Sequence, residues 1–224
     1  MKIQPHARLV MIGDSVTDHG RTPAGESMHE GIGRGWGGYV AQVDALLMTA
    51  YPERAIRVTN RGTSGNTVRD LAARWQADVI DLKPDWLSIM IGINDVWRQF
   101  DSFRGQDRAV SVEEYANTLE HLVRDTRPLL DGLVMMTPYF METNRTDAMR
   151  SRMDEYGAVV RDIASRYQAI FVDTQAAFDR MCMHMHSASI AWDRIHPNHV
   201  GYMIIASAFL TGIGFEWERL AGKR

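Results

Sequence analysis

The chain has 224 residues, of which 45% are hydrophobic and 24% charged, and its formal net charge at pH 7 is −3. These proportions are typical of a soluble globular protein; they exclude a disordered or collagen-like chain and give no sign of a nucleic-acid or membrane partner. The single cysteine, Cys182, excludes an intrachain disulfide and favours a reducing compartment. The first apolar run, Leu9–Ile12, is too short for a secretory signal or a membrane span, so we expect a cytoplasmic protein.

Short apolar runs alternate along the chain with longer segments whose apolar residues recur at helical spacing. The predicted strands are Leu9–Ile12, Ile56–Thr59, Trp86–Ile91, Leu133–Met136 and Ile170–Val172. The predicted helices are Gly38–Ala50, Asn66–Ile80, Ser111–Arg127, Asp147–Tyr167 and Asn198–Leu210. This alternation predicts an α/β fold, a three-layer α/β/α sandwich around a flavodoxin-like five-stranded parallel sheet of order 2-1-3-4-5. Without a linker or repeat in the sequence, we expect one domain over residues 1–224.

Chemically capable residues follow the first three predicted strands. Ser15 comes directly after the first strand, Gly65 follows the second and Asn94 follows the third. Asp193 and His196 precede the last helix. Ligands of such sheets bind beyond the carboxyl ends of the strands, so we expect these residues to meet at one edge of the sheet.

Together these residue types fit acyl transfer by a serine nucleophile. Asp193 lies three residues before His196, so its carboxylate would hold Nδ1 and leave Nε2 to accept the proton of Ser15. The Gly65 N–H and the Asn94 amide would donate to the developing oxyanion. Each residue alone has a plainer explanation as a cap, turn or loop residue, and only their combination favours catalysis.

The same residues resemble the sequence blocks of the SGNH hydrolase (GDSL esterase/lipase) superfamily. The matching blocks are Gly13–Ser15, Gly65, Gly92–Asp95 and the Asp193-x-x-His196-Pro197 motif. The resemblance covers nearly the whole chain and implies a serine esterase with catalytic residues Ser15, Asp193 and His196. It also implies an oxyanion hole made of the Ser15 and Gly65 backbone N–H groups and the Asn94 side chain.

Three further stretches are similar to the bacterial intracellular acetylxylan esterases within that superfamily: Ser64–Leu71, Asn94–Gln99 and Phe171–Phe178. This similarity implies a small acyl group, a small-molecule acylated sugar as substrate, and a homo-oligomer. Trp97 and Trp192 are candidate substrate-binding residues because they adjoin catalytic blocks, although packing explains a tryptophan equally well. Asp14, beside Ser15, is a third candidate.

Several alternatives stay open on the sequence alone. Within the esterases, a lysophospholipase or thioesterase would require a long acyl channel, and outside them the chain would be a non-catalytic flavodoxin-like binding module. Another rival is a metallohydrolase cluster formed by Asp14, Asp18, Asp95, Asp193, His196 and His199. The glycine-rich run 31–38 lacks the ending of a phosphate-binding loop, and the Met/His-rich segment 181–186 lacks zinc-site spacing. We therefore predict no metal and no cofactor.

Overall fold

The computed structural model describes residues 1–21, 37–101 and 105–221. Five strands form one parallel sheet: β1 (Arg8–Gly13), β2 (Arg57–Gly62), β3 (Trp86–Met90), β4 (Gly132–Met136) and β5 (Ile170–Val172). Their order across the sheet is β2-β1-β3-β4-β5, which confirms the predicted flavodoxin-like arrangement. Because the order reverses beside β1, the carboxyl ends of β1 and its neighbours are where a ligand of such a sheet is expected to bind.

Eight α-helices connect and cover the strands in the described part of the chain. They are α1 (Ser15–Asp18), α2 (Gly38–Ala50), α3 (Val68–Trp75), α4 (Ile93–Phe100), α5 (Val112–Thr126), α6 (Ala148–Arg166), α7 (Thr174–Cys182) and α8 (His199–Gly212). A π-helical turn, Gln76–Ile80, continues α3, and short 3₁₀ turns occupy Pro52–Arg54, Gln106–Arg108, Arg127–Leu129, Ser187–Ser189 and Trp217–Ala221.

Two hydrophobic clusters, one on each face of the sheet, form the core. Successive side chains of a strand point to opposite faces, so Leu9 and Met11 of β1 pack with α2 and α8, while Val10 and Ile12 pack with α3, α5 and α6. Trp86 is buried in the first cluster and Trp75 in the second. This arrangement is the predicted three-layer sandwich. No helix in the described residues is both long and apolar enough to cross a membrane.

Apart from shifts of one or two residues at the ends of elements, the structure differs from the predicted elements in two respects. Strand β2 extends to Gly62 instead of ending at Thr59, because the polar Asn60 is buried with its amide satisfied: it donates to the Thr17 carbonyl and accepts from the Gly62 N–H. Helices α1, α4 and α7 are absent from the prediction because they are short, and a short helix shows too few turns to establish a period.

Candidate active site

Ser15 lies at the first position of α1, immediately beyond β1. The Asp14 carboxylate caps this helix by accepting the Val16 N–H at 3.0 Å. The β1 register places Gly13 opposite both Gly62 of β2 and Met90 of β3, so the segments that follow these three strands start from one edge of the sheet. Ser15 is half-buried beyond this edge of the sheet, and its backbone N–H is at a helix start, where such groups have no intrahelical partner.

Asp14 does not take the predicted place in contact with substrate. Its side chain is only 2% exposed and is engaged as the cap of α1. Burial, reinforced by the nearby charge of Asp95, raises the pKa of Asp14 to about 7, although the Val16 hydrogen bond opposes this shift. Asp14 therefore fixes the start of α1, the helix that begins at Ser15.

His196 and Asp193 lie in the loop before α8 and face Ser15. The Ser15 Oγ is 2.8 Å from His196 Nε2, and His196 Nδ1 is 2.6 Å from Asp193 Oδ2. The other oxygen of Asp193 accepts the backbone N–H groups of Ile195 and His196, at 2.9 and 2.8 Å. One carboxylate thus fixes both the imidazole and the backbone that carries it.

The chemistry of this row depends on Asp193 being ionised. Burial alone would raise the pKa of Asp193, but the hydrogen bonds from the His196 ring and from the His196 and Ile195 N–H groups outweigh it and hold the pKa below its usual range. An ionised carboxylate on Nδ1 keeps the Nδ1–H tautomer and leaves Nε2 as a proton acceptor toward Ser15.

The loop after β2 and the start of α4 approach the same edge. Thr63 N–H donates to the Gly13 carbonyl at 3.0 Å, which fastens the loop to the end of β1. Gly65 has a φ of +78°, a conformation that favours glycine, and a Cβ added there would meet nothing within 4 Å. The buried Asn94 donates from Nδ2 to the Asn66 carbonyl at 3.0 Å, so it touches the same loop.

Arg74 of α3 joins several segments at this edge of the sheet, and it is not among the residues predicted from the sequence. Its guanidinium donates to the Gly13 carbonyl at 2.8 Å, to the Arg61 carbonyl at 2.7 Å and to the Asn66 Oδ1 at 2.6 Å. These acceptors belong to three separate segments, and arginine supplies the fork of donors that can join them. Two of its acceptors are backbone carbonyls, which every residue carries, so no sequence motif predicts these contacts.

Asp95 ties α4 to the start of α3. Its Oδ1 accepts the Val68 N–H at 2.9 Å, while Oδ2 is buried and finds no partner among the residues that the structure describes. Burial raises the pKa of Asp95 to about 7. Asn94 and Asp95 therefore form hydrogen bonds to two nearby backbone groups that follow β2, the Asn66 carbonyl and the Val68 N–H.

The two candidate substrate tryptophans occupy different surroundings. Trp97 lies edge-on to the His196 ring, with the centroids 6.2 Å apart, and the Arg98 guanidinium lies 5.0 Å from the Trp97 centroid. Trp192, next to Asp193, is 85% exposed. Trp36 and most of the glycine-rich run 31–38 lie outside the described residues.

The acidic residues of the rival metal cluster have separate partners. The Asp18 side chain accepts from Ser64 and Arg21, Asp95 accepts from Val68, and Asp193 holds His196. Across residues 1–21, 37–101 and 105–221, no group of three or more His, Cys, Asp or Glu side chains is arranged to hold a metal ion.

A hydroxyl, an imidazole and a carboxylate in one hydrogen-bonded row, at the carboxyl edge of a parallel sheet, form the arrangement of a serine hydrolase. The model of the GDSL-like lipase/acylhydrolase family matches residues 11–204 of the chain. The chain belongs to this family.

Comparison with individual proteins agrees with this membership. The chain is 53% identical over 220 residues to an acetylxylan esterase of Geobacillus stearothermophilus, covering 98% of this chain and 99% of that protein. The crystal structure of Axe2, an acetylxylan esterase from the same organism, superposes with a TM-score of 0.92 over 97% of this chain and 98% of the other. LAE5, an alpha/beta hydrolase enzyme from the metagenome of Lake Arreo, Spain, is also 53% identical and superposes with a TM-score of 0.91, covering 96% of this chain and 98% of that one.

Proposed function

We propose that this protein is a serine esterase that removes acetyl groups from carbohydrate esters such as acetylated xylo-oligosaccharides. The observation that carries the proposal is the row from the Ser15 Oγ through His196 to Asp193, with contacts of 2.8 and 2.6 Å. The identity of 53% with an acetylxylan esterase over nearly the full chain supports the acetyl and sugar parts of the substrate. Trp97 beside His196 and the exposed Trp192 beside Asp193 offer aromatic faces for a sugar ring.

In the proposed mechanism, the Ser15 oxygen attacks the ester carbonyl while His196 Nε2 takes the hydroxyl proton. The tetrahedral intermediate places its negative oxygen against the Ser15 N–H, the Gly65 N–H and the Asn94 Nδ2. One Nδ2 hydrogen of Asn94 is bonded to the Asn66 carbonyl, and the second would donate to the oxyanion. The sugar hydroxyl leaves with the proton from His196, and water then repeats both steps on the acetyl-serine to release acetate.

The test compares the wild-type protein with Ser15→Ala on p-nitrophenyl acetate and on acetylated xylo-oligosaccharides. We expect Ser15→Ala to abolish turnover of both, and a serine-directed organophosphate to add to Ser15 and stop both activities together. Ser151→Ala, a change of the same type at an exposed serine of α6, is the matched control and should retain full activity. Hydrolysis that does not depend on Ser15 would contradict the proposal.

Acyl-chain preference separates the proposed activity from a lipase-type hydrolase. We expect kcat/KM to be highest for acetate in a series of p-nitrophenyl esters from acetate to octanoate. A maximum at a long acyl chain would favour a lysophospholipase or thioesterase instead.

We also propose that the protein works in the cytoplasm as a homo-oligomer. Val200 and Met203 of α8 are exposed and line one groove of about 980 Å³ beside α7, and an apolar surface of this kind supports association between copies. Sedimentation equilibrium over a tenfold concentration range should give a mass that is a multiple of the chain mass. A monomer at every concentration would refute the oligomer, and fractionation of the native host would test the location.

A further inference from the structure

The end of β2 lies directly against α1, the helix that carries Ser15. A Cβ added at Gly62 would be 2.2 Å from the Asp18 nitrogen and 2.5 Å from the Thr17 carbonyl carbon, so only glycine allows this approach. The Asn60 amide donates to the Thr17 carbonyl at 2.6 Å. The helix of the nucleophile and the strand that leads into the Gly65 loop are therefore in backbone contact.

Asp18 extends this contact into the loop itself. It lies on the first turn of α1, three residues after Ser15, and its N–H donates to the Asp14 carbonyl at 2.8 Å. Its Oδ2 accepts both the N–H of Ser64, at 3.0 Å, and the Ser64 hydroxyl, at 2.6 Å. One carboxylate on the helix of the nucleophile thus holds the residue immediately before Gly65.

The Gly65 peptide depends on such anchors because it has no side chain of its own to pack. The Asn66 carbonyl on its far side is held by Asn94, and the Gly65 carbonyl accepts from Arg108 at 3.1 Å. Neither of these contacts comes from the helix that carries Ser15. The contact between Asp18 and Ser64 does come from that helix, and it therefore fixes the distance between the Gly65 N–H and the Ser15 Oγ.

We propose that Asp18 is a positioning residue that sets the Gly65 N–H at the correct distance from Ser15, so that the N–H meets the oxyanion only when the nucleophile has attacked. This inference rests on the proposed esterase function. A displacement of about 1 Å in such a group reduces catalysis by roughly 10²-fold, so loss of the anchor should appear in kcat.

The charge state of Asp18 suits this role. Burial alone would raise the pKa of Asp18, but the hydrogen bonds from Ser64 and from the Arg21 guanidinium outweigh it and hold the pKa below its ordinary value. The carboxylate is therefore ionised wherever an esterase with a histidine base operates. Its Oδ1 accepts from Arg21 Nε at 2.8 Å, which leaves Oδ2 to Ser64.

The test compares p-nitrophenyl acetate with its thionoester, in which sulfur replaces the carbonyl oxygen. Sulfur accepts hydrogen bonds weakly, so the oxyanion donors contribute little to the thionoester reaction. For Asp18→Ala we expect kcat on the ester to fall about 10- to 100-fold and kcat on the thionoester to fall less than about threefold. Active-site titration with an organophosphate corrects each rate for the fraction of folded protein, so a purely structural role would leave the ratio of the ester rate to the thionoester rate unchanged.

Two further variants locate the effect. Arg21→Gln removes the ion pair at Asp18 Oδ1 and should leave the ratio of the ester rate to the thionoester rate unchanged. Ser64→Ala removes the hydrogen bond from the hydroxyl but keeps the one from the backbone N–H, so it should lower the ratio of the ester rate to the thionoester rate about threefold. If Asp18→Ala does not fold, the result for Ser64→Ala decides the question.

The outcomes separate this inference from the proposed function. If the ratio of the ester rate to the thionoester rate is unchanged in Asp18→Ala, Asp18 does not position the Gly65 N–H, and the proposed esterase function is unaffected. The same conclusion follows from an unchanged ratio in Ser64→Ala if Asp18→Ala does not fold. Wild-type protein without hydrolysis dependent on Ser15 overturns both.

Discussion

Asn94 has two neighbours that fix the direction of its amide. Its Nδ2 donates to the Asn66 carbonyl at 3.0 Å, and rotation of the amide would place Oδ1 against that carbonyl, oxygen to oxygen. The Arg98 guanidinium approaches Oδ1 at 3.5 Å, which favours the same orientation. The side chain is only 3% exposed, so this neutral donor is held in place before any substrate arrives.

We expect Asn94→Ala to lower kcat for p-nitrophenyl acetate by roughly 10²–10³-fold, the usual effect of removing one oxyanion donor. The variant should stay folded, with a circular dichroism spectrum like that of the wild type. Asn144→Ala, in an exposed loop, is the control and should keep the wild-type kcat. A folded Asn94→Ala protein with near-full activity would remove Asn94 from the oxyanion hole.

Between elements, the contact of β2 with α1 leaves no room for a side chain. In Gly62→Ala the new methyl group would meet the backbone of Thr17 and Asp18, and a backbone cannot rotate away as a side chain can. We expect the free energy of unfolding to fall by about 1–3 kcal/mol, as for other overpacked positions, together with a loss of esterase activity. Urea denaturation and kcat measure the two effects.

Gly157→Ala provides the matched comparison within α6. The nearest atom to its added Cβ is 3.7 Å away, and alanine is the better helix former. This variant should be stabilised by about 0.5–1 kcal/mol with unchanged kcat. Equal stability changes in the two variants would show that space at Gly62 is not the controlling factor.

The elements differ in how well the sequence predicted them, and the difference has a physical cause. Strands β3, β4 and β5 were predicted to within one residue because they are apolar runs that need burial on both faces. Helix α4, which is too short to show a helical period, also carries the polar pair Asn94 and Asp95 in its buried first turn. Their burial is compensated by contacts to the Asn66 carbonyl and the Val68 N–H, partners distant in sequence.

The candidate site divides in the same way. Ser15, Gly65, Asn94, Asp193 and His196 carry recognisable chemistry at ends of elements, and the structure brings them to one edge of the sheet, while their catalytic roles stay predictions. Supporting contacts such as that of Arg74 join segments through backbone carbonyls, so only the fold reveals them.

At the scale of the whole molecule, the buried carboxyls Asp14 and Asp95 make stability depend on pH. Burial raises both folded-state pKa values to about 7, whereas the unfolded chain ionises near 3.8. Between these values the folded state retains protons that the unfolded chain has released. Their contribution to stability is therefore fully present below pH 4 and is lost as the pH rises to about 7.

We expect the free energy of unfolding, measured by urea denaturation, to decrease from pH 5 to pH 7, by at most roughly 1.4 kcal/mol per pH unit for each group. Asp95→Asn keeps an acceptor for the Val68 N–H but cannot ionise, so it should flatten this decrease. Asp131→Asn, at an exposed carboxylate just before β4, should reproduce the wild-type profile. A wild-type stability that is constant or rises over this range would mean that these two carboxyls are already ionised in the folded protein at pH 5.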